Sequence, residues 1–156
     1  MKIAIIAIGT KMPKWVQEAN ADFLKRFPSD FSVKVIEVPA AVRSKQGTPE
    51  LYKRKEAKAI RAALPKNALL VCLDVLGKSV STEQLAAKLD DLKLGGRPIA
   101  MIIGGPDGIA ADLLAEADLK VSLSALTLPH PLVRVLLVEQ LYRVWSILAG
   151  HPYHRA

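Results

Sequence analysis

The run Leu123-Ser-Ala-Leu-Thr-Leu-Pro-His-Pro-Leu-Val-Arg134 gathers more reactive chemistry than any other stretch of this chain. Pro129 and Pro131 fix φ and remove two amide donors, and the residues before them, Leu128 and His130, are pushed toward extended backbone. The result is a stiff loop with free carbonyls and one imidazole that titrates near neutral pH. Arg134 follows one turn into an apolar helix, in line with Val138, Leu141 and Trp145. A cation on such a stripe needs a counter-charge, a ligand, or a first turn that reaches water. His130 has two readings: a buried neutral ring at a helix start, or a catalytic or RNA-contacting group.

Other chemistry-bearing groups are sparse. Gly104-Gly-Pro-Asp-Gly108 joins a strand-like run to a helix-like one, as a plain turn or a ligand loop. It is not a dinucleotide fingerprint, and no phosphate-binding G-x-x-x-x-G-K-[ST] loop occurs. Cys72 sits in the apolar run Leu69–Leu73 and reads as an inert core thiol. His151 and His154 lie close together, but no cysteine or carboxylate completes a metal set, so no metal is expected. Ser122, Ser124 and Ser146 lack the setting of a nucleophilic serine. The tail His151-Pro-Tyr-His-Arg155 is short, aromatic and basic, which suits a disordered end or a segment ordered over a pocket, that of a partner subunit included.

Strand and helix patterns alternate about five times to position these groups, which argues for an α/β fold with a mostly parallel sheet. Strands are expected at 2–8, 33–38, 68–75, 98–103 and 119–123. Helices are expected from Pro13 to about Phe27, from Pro49 to about Leu64, from Ser81 to about Leu94, over Ile109–Ala117 and over Pro131–Leu148. Trp15, Ala19, Phe23 and Phe27 recur every four residues and read as the inner face of the first helix. Thr48-Pro49 and Ser81-Thr-Glu-Gln84 carry N-terminal capping patterns. One domain spans 1–156. Three strand ends, Leu73-Asp74, Ile103–Gly105 and Leu123–Leu128, would meet at the C-terminal sheet edge, where open α/β sheets bind ligands. Their apolar walls and backbone groups suit an adenine ring; a triphosphate would want positive charge there. The last helix is apolar on most of its circumference, so a second copy of the chain is expected to cover what one sheet leaves bare.

Charge is divided unevenly. Residues 1–66 carry 14 Lys/Arg against 6 Asp/Glu, a net of +8, and residues 67–156 carry 8 against 9, a net of −1. Arg43, Lys53, Arg54, Lys58 and Arg61 form the basic concentration, which suits a polyanion such as RNA or a plain solvated surface. The Met1–Ile8 run reads as a first strand and not a secretory signal, no apolar run is long enough to span a bilayer, and a single cysteine suits the cytoplasm.

Ile5–Gly9 with Thr10-Lys-Met-Pro13, Leu73-Asp74, Ile103–Gly108, Leu123–Leu128, Pro129–Arg134, Glu139-Gln-Leu-Tyr-Arg143 and His151–Arg155 together carry a likeness. The chain resembles the ribosomal RNA large subunit methyltransferase H family of the SPOUT class over essentially its whole length. The resemblance implies a C-terminal trefoil knot, a homodimer, S-adenosylmethionine as methyl donor, and methylation of N3 of a pseudouridine in 23S rRNA of assembled ribosomes. It assigns the cofactor to Leu73, Gly104, Leu123, Ser124, Ala125, Leu126, Thr127 and Leu128. His130, Arg134, Tyr153 and His154 become candidates for substrate positioning and charge stabilisation, and Arg155 joins the RNA-contacting candidates. A non-enzymatic ribosome-binding factor with a vestigial pocket is the alternative; a flavodoxin-like nucleotide binder is disfavoured by the missing phosphate loop.

Overall fold

A computed structural model describes all residues, 1–156. Its elements run β1 Lys2–Ile8, α1 Lys14–Leu24, β2 Ser32–Val38, α2 Pro49–Ala63, β3 Leu69–Ser79, α3 Thr82–Lys93, β4 Ile99–Ile103, α4 Ala111–Ala115, β5 Leu119–Ser122 and α5 His130–Ala149. The five strands form one sheet in the order β2-β1-β4-β3-β5, every pair parallel. All strand C-termini therefore share one edge.

Central strands of a parallel sheet are covered on both faces, which is why β1 and β4 read as unbroken apolar runs. In β1, Ile3, Ile5 and Ala7 face one core layer with Leu85, Leu89, Leu137 and Leu141 of α3 and α5. Ile6 and Ile8 face the other layer with Ala57, Ile60 and Leu113 of α2 and α4.

Local signals set the helix starts. Thr48 Oγ1 accepts from the Leu51 amide at 3.1 Å, with Pro49 in the first turn. Ser81 and Gln84 exchange bonds of 2.9 and 3.1 Å in a full capping box. The inner face of α1 differs from expectation: Val16 and Asn20 are buried, while Trp15 is 50% exposed and Phe27 lies beyond the helix end. The tertiary frame turns the helix by one residue and accepts a polar Asn20 where periodicity sought an apolar side chain.

The second departure is β3, which runs on to Ser79 through a bulge. Leu73 and Lys78 both pair with Val121, so Asp74–Gly77 bow out of the sheet above the C-terminal edge. Only glycine fits at position 77, because a Cβ there would lie 2.9 Å from the backbone N and C of Val121. α5 is also more covered than the sheet alone would allow, since it packs against α1 and α3 as well. Val144 and Ser146 are fully buried, and the least covered side of α5 carries Leu132 and half-buried Leu136, Gln140, Arg143 and Ile147.

Gly77→Ala should lower unfolding free energy by about 1–3 kcal/mol, the usual cost of overpacking against a fixed backbone. Equilibrium denaturation at fixed protein concentration reads this, and a midpoint equal to that of the parent protein would show that the bulge yields freely.

Candidate functional site

A cavity of about 790 Å³ opens at the shared C-terminal edge. Its walls come from β1 and the turn after it (Ile8, Gly9, Met12), the β3 bulge (Leu73, Asp74, Val75), the Ile103–Ile109 turn, the loop after β5, and the first turn of α5. The three strand ends singled out in the sequence thus do converge. Leu73, Gly104, Leu123, Ser124, Leu126 and Leu128 line the cavity. Ala125 and Thr127 do not, and both are exposed.

The loop after β5 is held in shape from within. Ser122 Oγ donates to the Ser124 carbonyl at 3.0 Å, and Ser124 Oγ accepts from the Leu126 amide at 2.9 Å. That arrangement leaves Leu126 73% exposed, with Val75 of the bulge 78% exposed. On the turn after β4 the glycines make close approach possible: a Cβ on Gly104 would lie 2.8 Å from Ile109, and one on Gly105 would lie 2.8 Å from Glu56 Oε1.

The charge of the lining restricts the ligand. Asp74 and Asp107 are its acids, His130 its one imidazole, and no lysine or arginine faces in. Such a cavity disfavours phosphates and suits a neutral heterocycle attached to a cationic group.

His130 and Arg134 are both taken up by the protein itself. Arg134 is 2% exposed. Its Nε donates to His130 Nε2 at 2.8 Å, Nη1 to Glu37 Oε2 at 2.5 Å, and Nη2 to the carbonyls of Ile8 and Gly9 at 3.2 and 2.6 Å. The counter-charge that the sequence demanded is Glu37, 97 residues away, so Arg134 does not reach a ligand as a catalytic group. His130 has given its Nε2 lone pair to Arg134. Burial first, and the Arg134 charge second, push the imidazole below its ordinary value. With Nε2 engaged by Arg134, the ring does not offer that nitrogen as a free proton acceptor.

The tail stays off this cavity. Tyr153 packs edge-on against Tyr142 with ring centroids 4.7 Å apart, and its hydroxyl donates to Glu139 Oε1 at 3.0 Å. Burial first, then that carboxylate, raise the phenol's pKa, so Tyr153 remains a protonated donor at neutral pH. His154 lies 2.9 Å from Glu83 Oε1 through Nε2 and 3.3 Å from Arg143 Nη1 through Nδ1. Arg143 closes the group by donating to Glu139 at 2.6 and 3.0 Å. Glu139 and Arg143 therefore belong with Tyr153 and His154, a grouping that the helical wheel alone did not supply.

Among the basic candidates, Arg61 reaches Asp112 of α4 and Glu116 just after it, Lys53 pairs with Glu50, and Arg43 pairs with Asp107 at the cavity rim while stacking over Tyr52. Arg54 and Lys58 are exposed on one face of α2 without an ion pair, and Arg155 is exposed in the tail. Burial pushes the Cys72 thiol up to about 11, as an inert core residue requires. No group of three or more metal-ligating side chains forms, and no helix is long and apolar enough to cross a membrane.

The chain is similar to known proteins along its length. Residues 1–154 match the family described as "Predicted SPOUT methyltransferase". The protein called ribosomal RNA large subunit methyltransferase H in Hydrogenovibrio crunogenus is 49% identical over 155 residues, 99% of each chain. Its namesake in Saccharophagus degradans is 51% identical over 99% of this chain and 100% of its own. The one in Pseudomonas fluorescens is 46% identical with the same coverage. In fold, a probable methylase family protein from Haemophilus influenzae superposes with a TM-score of 0.55 at 12% identity, over 97% of this chain and 67% of its own.

The buried ring has a consequence for stability. His130 binds fewer protons when folded than its ordinary value of 6.5 dictates for the unfolded chain. Its contribution is thus complete above that value and is lost as pH falls toward the lowered folded pKa. His130→Gln should flatten the drop in denaturation midpoint between about pH 7.5 and about pH 5.5. Parallel profiles for the variant and the parent protein would contradict this account of the ring.

Proposed function

The chain belongs to the SPOUT methyltransferase family, and we propose from that premise that it methylates N3 of a pseudouridine in the 23S rRNA of the large ribosomal subunit, with S-adenosylmethionine as donor. The observation that carries the reading is the cavity at the sheet edge: apolar and backbone-lined where an adenosyl group would lie, acidic at its rim, and without any lysine or arginine. S-adenosylmethionine is a heterocycle joined to a sulfonium and supplies an electrophilic methyl group when bound. Leu73, Gly104, Leu123, Ser124, Leu126 and Leu128 would hold it. The trefoil knot implied by the family would add rigidity to the same loop.

The chain's own contribution is orientation and electrostatics. The apolar walls exclude water, and the fixed loop backbone offers hydrogen bonds that need no reorganisation. Holding N3 in line with the methyl group removes much of the entropic barrier. The imide proton must also be lost, and a positive or donor group near the base oxygens stabilises the anion left behind. Tyr153, His154 and Arg155 are the tail groups suited to that task, but the tail folds away from its own cavity. Nine residues, about 13 Å of helix rise, separate His130 at the cavity wall from Glu139, the tail's anchor. A homodimer joined along the uncovered side of α5 would bring the tail of one copy to the cavity of the other. Arg54 and Lys58, unpaired on α2, would then grip rRNA phosphates.

Transfer of labelled methyl to large-subunit rRNA in ribosomes that lack the modification tests the reaction. Product N3-methylpseudouridine is expected; cofactor binding without any transfer would favour the non-enzymatic ribosome-binding alternative. Removing residues 151–156 should leave cofactor affinity within about threefold while abolishing transfer, since only the tail groups are lost. Full turnover by the truncated chain would dismiss the tail from the reaction.

Arg54→Glu with Lys58→Glu should weaken ribosome binding and lower the salt slope by about 1 for each phosphate that is no longer neutralised. An unchanged slope would place the RNA on another face.

A further inference from the structure

Glu37 is the member of the strand-end cluster with no role in binding or transfer so far. It stands on β2 beside Ala7 of β1, with a half-exposed carboxylate. Its Oε2 takes Arg134 Nη1 at 2.5 Å. The other arginine nitrogens are already committed to His130, Ile8 and Gly9. One guanidinium thereby ties together β2, the end of β1 and the first turn of α5.

The tied parts are one wall of the cavity: Ile8, Gly9 and His130 all line it. The strand order β2-β1-β4-β3-β5 sets the β1 side of this wall apart from β3 and from the loop after β5, with β4 between them. The 123–128 loop, which would hold the adenosyl group, makes none of the Arg134 bonds. Gly9 is locked in place, with φ at +119° and a would-be Cβ only 3.3 Å from Arg134 Nη2.

We propose that Glu37 is a positioning residue for methyl transfer: it aims the Arg134 fork, and Arg134 sets the β1 wall and the His130 ring that face the acceptor base, while the adenosyl-holding loop is left as it is. This rests on the methyltransferase reading. The physical reason is geometric. An arginine fork holds four acceptors only in one orientation, and a carboxylate at one prong selects that orientation. Without it the fork re-aims, and displacement of a reacting wall by about 1 Å is enough to cost about a hundredfold in rate.

Glu37→Ala should lower kcat at saturating cofactor and ribosome by about ten- to a hundredfold, while affinity for S-adenosylhomocysteine stays within about threefold. Glu37→Gln keeps an acceptor oxygen for Nη1 and should restore the greater part of kcat. A residue that merely supports folding would move affinity, kcat and melting temperature together, and that outcome, or an unchanged kcat in Glu37→Ala, overturns the proposal. The unaltered protein gives a second test that does not depend on a variant that folds. If Arg134 donates to Nε2, the His130 ring must carry its proton on Nδ1, which nitrogen-15 spectra of labelled imidazoles report. A ring protonated on Nε2 overturns the proposal. An unaltered protein that transfers no methyl group would instead overturn the methyltransferase reading.

Discussion

A guanidinium with almost no access to water must find an acceptor for every donor it keeps, and Arg134 finds them only at the C-terminal edge of the sheet. Removing one partner from a buried ion pair leaves a charge uncompensated, which typically costs about 3–5 kcal/mol. α5 therefore cannot slide or rotate over the sheet without breaking bonds to β1 and β2 at once. The 123–128 loop makes none of these bonds and is held from within by Ser122 and Ser124. The β1 wall of the cavity and its His130 edge are what take their placement from an ion pair lying behind them.

Charge is distributed in the same spirit. The first 66 residues hold all of the excess positive charge, yet none of it enters the cavity. Arg43 and Arg61 are turned to carboxylates in the Gly104–Gly108 turn and in α4, and Arg54 and Lys58 face solvent. A protein that handles a polyanion and a cationic methyl donor must keep these two surfaces electrostatically apart. The acidic rim at Asp74 and Asp107 beside a basic α2 meets that requirement, and Arg43–Asp107 is where the two regions touch.

Local chemistry was the part of this structure open to reading from residues alone. The Thr48-Pro49 start and the Ser81–Gln84 capping box involve neighbours within three residues, and the buried strands announce themselves as apolar runs. The cavity was placed correctly because a parallel sheet brings every strand end to one edge. What stayed hidden depended on distant partners. The strand expected at 68–75 runs on to Ser79 and bows out at Asp74–Gly77, because Val121 pairs with β3 on both sides of the bulge. The Arg134–Glu37 pair joins residues 97 apart, and no spacing rule links them. The inner face of α1 was misjudged because Asn20 occupies a buried position that a hydrophobic pattern assigns to a different stripe.

The tail poses a question that one chain answers poorly. Tyr153 and His154 are tethered through Glu139, Arg143 and Glu83, an ordered arrangement for a short irregular segment beyond a helix. Ordering them costs backbone and side-chain entropy of the order of 1–2 kcal/mol per residue. The bonds gained are mostly half-exposed, so each repays little of that cost. A tail kept in register this way is better accounted for if its aromatic and basic groups also serve a site. The nearest uncovered surface is the side of α5 that carries Leu132, Leu136 and Ile147, the side on which a second copy would lie. A second copy related by a two-fold axis across α5 would lay the late part of each helix beside the early part of the other, where the cavity begins. The apolar side of the helix and the ordered tail would then share one explanation, in which each copy completes its partner's cavity.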